Sequence, residues 1–252
     1  MISAPAAPYG PAAQAPDLLL PSAPLVPAPR RRSLDMTRHF LLALDELNKD
    51  VLAMGGAVEA TVSRAVRAFL DRDVREARSV VDGDRDINLQ ELRIDEECLK
   101  ILALHQPTAR DLRFVTGVMK IINDLERVAD LSVNVAERAI VLAELPPRET
   151  PIAFVEMADR ARAMLTASLD ALVRHDPAKA MEVLRMDAPI DALLKGMFDE
   201  LEADMAKDSS RIRSDLQMLS AAKNIERIAD HATNVAEDVV YMVDGNIIRH
   251  RH

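Results

Sequence analysis

Glu126-Arg127-Val128-Ala129-Asp130-Leu131-Ser132-Val133-Asn134-Val135-Ala136-Glu137 decides the fold, because the chain repeats it. At an offset of 100 residues stands Glu226-Arg227-Ile228-Ala229-Asp230-His231-Ala232-Thr233-Asn234-Val235-Ala236-Glu237, and 8 of the 12 positions are identical. Val128 against Ile228 is nearly isosteric. Upstream, the halves align at an offset of 103, which pairs Met54 with Met157, Val62 with Leu165, Phe69 with Leu172, Asp73 with Asp176 and Asp84 with Asp187. A deletion of three residues between helices reconciles the two offsets.

Around these segments the apolar period is helical almost without interruption. Phe40, Leu41, Leu44, Leu47, Val51, Met54, Val58, Val62, Ala65 and Phe69 recur in steps of mostly three and four, as one face of an α-helix requires. Breaks fall at Leu70 to Asp73, at His105-Gln106-Pro107-Thr108, at Pro146-Pro147, at His175-Asp176-Pro177 and at Lys207 to Ser210. Proline disfavours helix in the residue before it, and Asp176 ahead of Pro177 reads as an N-cap with proline in the first turn. The expectation is an all-α chain of six long helices, about 36–70, 74–104, 109–143, 149–174, 177–206 and 211–243. Short connections force antiparallel neighbours, so residues 35–145 and 149–246 each form an up-down-up three-helix bundle, the second an internal repeat of the first. Residues 1–34 fall outside this pattern. The first 33 hold 8 of the 14 prolines, and the segment reads as a disordered Pro/Ala-rich tail, with Met36 as an alternative start.

Composition narrows the function classes. The formal net charge is −9, and beyond residue 33 it is −11, which repels phosphate backbones and argues against nucleic-acid binding. The single cysteine, Cys98, excludes an internal disulfide or a Cys-rich zinc site. No apolar run is long enough to span a bilayer, and the Arg30-Arg31-Arg32 cluster follows the short apolar patch at Leu18 to Leu20, the reverse of a secretory signal. A cytoplasmic location is expected. The 12 methionines read as core filler.

The chemistry-bearing feature is an acidic stripe. On a helix advancing about 100° per residue, Glu126, Asp130, Asn134 and Glu137 share one edge of the apolar face set by Val118, Ile121, Ile122, Leu125 and Ala129. Glu226, Asp230, Asn234 and Glu237 repeat this. On the preceding helix of each half, Asp84 and Asn88 correspond to Asp187 and Asp191, again one turn apart. Carboxylates crowded beside an apolar face raise one another's pKa unless a cation neutralises them, and oxygen ligands from two helices suit hard or borderline cations. The plainer reading is a solvated edge locked by Arg127 and Arg227 as salt bridges.

At these residues the chain resembles the PhoU family, whose hallmark is a pair of E-R-[IV]-x-D-x-x-x-N helices in two bundle repeats. Gln106-Pro107-Thr108-Ala109-Arg110-Asp111-Leu112-Arg113 is similar to the family's turn between helices 2 and 3, Asp84-Arg85-Asp86-Ile87-Asn88 to its D-x-x-I-N segment, and Gly245-Asn246-Ile247-Ile248-Arg249-His250 to its C-terminal segment. His105 departs from the usual Gln, and the second half lacks the Q-P turn. The resemblance implies a negative regulator of phosphate uptake and phosphate-starvation signalling, without enzymatic activity. Its implied partners are the ATPase subunit of a phosphate ABC transporter and a sensor histidine kinase, with homodimers common, no nucleic acid, and membrane approached only through partners. It also implies a divalent or ferric metal (Fe, Zn, Mn or Mg) held by Asp84, Asn88, Glu126, Asp130 and Asn134 in the first half and by Asp187, Asp191, Glu226, Asp230 and Asn234 in the second.

Other readings remain open. A metal-dependent enzyme is disfavoured: no Glu-x-x-His, His-x-x-x-His, phosphate-cradling Gly-rich loop or nucleophile elbow occurs. A metal-binding helical scaffold, or a paralogue serving another transporter, stands as the alternative. Arg110, Asp111 and Arg113, just after Pro107, serve either to charge-pair the first turn of the third helix or to contact a partner.

Overall fold

The computed structural model describes residues 30–245, with side chains from Arg38 onward. The expected disorder of residues 1–29 and the motif beyond Gly245 lie outside them. Seven α-helices follow in order: α1 (Arg30–Asp71), α2 (Val74–His105), α3 (Ala109–Ala143), α4 (Ile152–Arg174), α5 (Pro177–Val183), α6 (Ala188–Lys207) and α7 (Ile212–Asp244), with a single 3-10 turn at Ser209–Arg211. The chain is all-α, as expected. Two boundaries differ from the sequence reading. Helix α1 starts at Arg30, so residues 30–34, assigned to the tail, are helical backbone. The fifth helix is split into α5 and α6 at Leu184 to Asp187. Pro189 stands in the first turn of α6, has no N–H to give to the turn before it, and disfavours helix in its predecessor.

The internal repeat is visible in the turns. Arg72 and His175, at equivalent positions, both adopt the left-handed conformation, with φ of 52° and 49°. The residue after each is a capping aspartate. Asp73 accepts from the Glu76 N–H, and Asp176 accepts from the N–H groups of Ala178 and Lys179.

Helices α1, α2 and α3 pack on one another, as do α4 and α7 with α5 and α6 between them. The most extensive helix pairing joins the halves: α3 lies along α7, and α1 touches α4. Gly117 faces Met242, Lys120 faces Asp238 and Arg138 faces Gln217, so α3 and α7 run antiparallel about a pseudo-twofold axis. Two glycines permit the close approach. A Cβ on Gly117 would collide with Met242 Cγ and Sδ, and one on Gly55 of α1 would sit 2.7 Å from Leu169 Cδ2 of α4. Phe69 and Phe154, both fully buried, meet across the halves with ring centroids 4.5 Å apart. The two repeats therefore share one continuous core of aliphatic side chains.

The connection between repeats is pinned from both sides. Arg72 donates through Nη1 to the carbonyl oxygens of Leu142 (3.1 Å), Leu145 (3.3 Å) and Pro146 (3.2 Å), and through Nη2 to that of Arg148 (3.2 Å). It thereby gives a donor to one carbonyl in the last turn of α3 and to three along the linker. Arg148 in turn reaches the second repeat, pairing with Asp204 at 2.8 Å and with the fully buried Asp215.

Candidate functional site

Each repeat brings its acidic residues together across two helices. In the first, Asp84, Asn88 and Glu91 lie on one face of α2, at spacings that stack side chains on successive turns. They face Glu126 and Asp130 of α3. Asn88 Nδ2 donates to Asp84 Oδ2 at 2.9 Å, leaving Asp84 Oδ1 and Asn88 Oδ1 buried without a hydrogen-bond partner. Burial pushes the Asp84 carboxyl above its ordinary value, and the Asp130 charge adds to this. Glu126 is raised by burial and then by Asp130, with smaller contributions from Glu91 and Asp84. Arg127 offsets part of this repulsion, 3.5 Å from Glu126 and 3.4 Å from Asp130, as the salt-bridge reading anticipated.

In the second repeat, Asp187 and Asp191 open α6, and they face Glu226 and Asp230 of α7. Asp187 is raised by burial and by Asp191. Asp230 is pushed up to about 6, first by burial and then by the like charges of Glu226, Asp187 and Asp191, while His231 opposes the shift. Glu226 Oε2 is buried without a partner. Arg227 is exposed and makes no ion pair among the described residues, so the second row lacks the guanidinium that serves the first.

The paired asparagines do not share one role. Asn134 is exposed at the end of its row. Asn234 turns to the other repeat, where its Nδ2 donates to Asp124 Oδ1 at 3.2 Å. The same Asp124 oxygen lies 2.8 Å from His231 Nδ1, making a polar knot on the α3–α7 seam.

Sequence reasoning passed over Glu91, Asp124 and the contact of His231. The signal for Glu91 was its place one turn beyond Asn88. For the other two it was the unlike residues at repeat-equivalent positions, Asp124 against Asn224 and His231 against Leu131.

Among the described residues, no group of three or more His, Cys, Asp or Glu side chains stands close enough to hold a metal ion as it is placed. The arrangement supplies oxygen donors on two helices of each repeat, with orphaned acceptor atoms on Asp84, Asn88 and Glu226, the donor chemistry that hard and borderline cations take.

The PhoU domain matches residues 51–139 and 154–239, one copy on each repeat. The chain belongs to the PhoU family. It is 39% identical over 218 residues to the phosphate-specific transport system accessory protein PhoU homolog of Pseudomonas putida, covering 85% of this chain and 84% of that protein. It is 34% identical over 222 residues to the phosphate-specific transport system accessory protein PhoU of Escherichia coli K12, covering 86% of this chain and 92% of that one. The crystal structure of PhoU from Pseudomonas aeruginosa superposes with a TM-score of 0.78 at 40% identity, covering 82% of this chain and all of that one. The PhoU family matches thus fall on the two bundles and leave the residues before Val51, the first part of α1 among them, outside the domain copies.

Proposed function

We propose that this PhoU-family chain is an accessory regulator of phosphate-specific transport, restraining phosphate uptake and starvation signalling when phosphate is plentiful. The observation that carries this reading is the double PhoU domain match on the two structural repeats, with relatives named for that transport system over most of their length. The proposed partners are the ATPase subunit of a phosphate ABC transporter and a sensor histidine kinase, reached from the cytoplasm. No helix among the described residues is long and apolar enough to cross a membrane, which agrees with a peripheral role. The chain would act by presenting surfaces rather than by chemistry of its own, as the naming of its relatives as accessory proteins suggests.

The acidic rows are proposed as cation sites, with Asp84, Asn88, Glu126 and Asp130 in one repeat and Asp187, Asp191, Glu226 and Asp230 in the other. Support comes from the orphaned oxygens of Asp84, Asn88 and Glu226 and from the raised carboxyls, since a bound cation relieves both. The second row is the stronger of the two, because no arginine competes for it.

The decisive experiment is a deletion strain complemented with this chain. Phosphate uptake and starvation-gene expression in high phosphate should rise on deletion and fall on complementation. Unchanged uptake and expression in both strains would sink the regulatory reading.

A further inference from the structure

We propose that the outer face of α2 joins the same face of a second copy of this chain, as an antiparallel two-helix seam. The inner face of α2, with Ile87, Ile94, Cys98 and Ile101, is buried in the first bundle. On the opposite face Arg85, Leu89, Leu92, Glu96, Leu99 and Ala103 recur in alternating steps of four and three, and all are exposed. Leu89, Leu92 and Leu99 are open to solvent by 48%, 58% and 51%. This alternation is the a/d spacing of a coiled coil, in which one helix offers an apolar strip to another. The duplication does not account for the strip. At the equivalent positions of α6 stand Ala192, Lys195, Asp199 and Glu202, all exposed. Neither face packs inside its bundle, so the leucines answer to something outside it.

The charges on the strip select a second copy, because they are complementary to themselves. In an antiparallel pair whose twofold axis passes between residues 90 and 91, Leu89 meets Leu92 of the second copy. The same register sets Arg85 opposite Glu96 of the second copy, and Asp86 beside its Arg93. The axis repeats each of these contacts, as an isologous interface requires. Arg85, Asp86, Arg93 and Glu96 are all exposed and make no ion pair among the described residues, so the four are available. Sliding the register to set Leu89 against Leu99 would place Glu96 against Leu92 and Arg85 against Ala103, leaving both charges without a partner. The strip from Arg85 to Ala103 is about 27 Å long at 1.5 Å per residue, and about 10 Å wide. That area lies at the low end of specific interfaces, so a dimer with a Kd on the order of 10 μM is expected.

The test is sedimentation velocity of the full chain from ~1 to ~200 μM, a range that brackets this affinity. Leu89→Ser with Leu92→Ser should weaken association by at least ~10-fold, since it removes the centre of the seam. Arg85→Glu and Glu96→Arg should each weaken it by ~5-fold or more, because each turns two attractions into repulsions. Mixing these two single variants in equal amounts should restore association, since every Arg85–Glu96 pairing is then between opposite charges again. Phe198→Ser, at an exposed position of α6, should change nothing. The substituted side chains lie outside the core, and circular dichroism will confirm that the helices persist. A monomer throughout that range, Leu89 and Leu92 variants that associate like the parent, or a mixture no tighter than its single variants would overturn the proposal. The readout uses purified chain alone, so it succeeds or fails separately from the regulatory role in transport.

Discussion

His231 Nδ1 stands 2.8 Å from Asp124 Oδ1 across the α3–α7 seam, whereas the pseudo-twofold image of this pair sets Leu131 toward Asn224. One of two related contacts is a half-buried polar bond. In the other, Leu131 is buried and the Asn224 amide donates to its own helix at Ser220. This pair of related contacts is therefore polar on one side of the axis and apolar on the other. That difference distinguishes the two faces of an otherwise duplicated seam.

Removing Asp124 leaves two donors, on His231 and Asn234, without their acceptor. Asp124→Ala is expected to lower unfolding free energy by about 1–3 kcal/mol. Urea titration at constant pH measures it. A double variant with His231→Leu should recover part of the loss, because it restores the apolar character of the image contact.

Arg148 meets Asp215, a fully buried carboxylate whose second oxygen is already unpartnered. Arg148→Ala should destabilise the chain by about 3–5 kcal/mol, since it strands that charge in the core. Pairing Arg148→Met with Asp215→Leu should give back most of the stability in the same denaturant assay, because no ion is then left buried. Equal losses in the single and double variants would count against the argument.

The raised Asp230 carboxyl has a pH signature. Its free value is 3.8 and its folded value about 6, so the folded chain holds the proton more tightly between those limits. Its contribution to stability is most favourable at and below pH 4 and is lost as pH rises through about 6. Asp230→Asn should flatten that part of the stability curve measured without metal. The gain at neutral pH should stay below about 1 kcal/mol, because the carboxyl, though partly covered, keeps contact with solvent that screens it. With the cation sites of the proposed function, added Mn or Fe should stabilise the parent chain at neutral pH more than the variant with Glu226→Gln and Asp230→Asn, which keeps only the first row.

Gly117 admits Met242 where a methyl group cannot fit. Gly117→Ala should cost about 1–3 kcal/mol by forcing α3 and α7 apart, and Met242→Ala on the same background should relieve the clash. Thermal unfolding of the two variants side by side decides it.

The sequence made the helices and their duplication legible because both depend on local periodicity: Leu47, Val51, Met54 and Val58 mark a buried face wherever the chain goes. The capping role of Asp176 could be read for the same reason. The break before Pro189 was hidden by apolar spacing that continues through Leu184, Ile190 and Leu193. Contacts between repeats were out of reach, since they depend on how α3 lies on α7. The acidic rows were visible as patterns on single helices. That Glu91 joins the first, that Asn234 leaves the second for Asp124, and that only Arg127 neutralises its row are facts of tertiary placement.

The engagement of one α3 carbonyl and three linker carbonyls by Arg72, and of two second-repeat aspartates by Arg148, bears on how this molecule can be handled. A tryptic site follows Arg148, yet its side chain is only 15% exposed and its carbonyl is bound, so a protease needs prior unfolding to cut there. Fragments expressed separately would each lose the Phe69–Phe154 contact and bare a long apolar strip of α3 or α7. The two repeats share one core and are not two modules on a string.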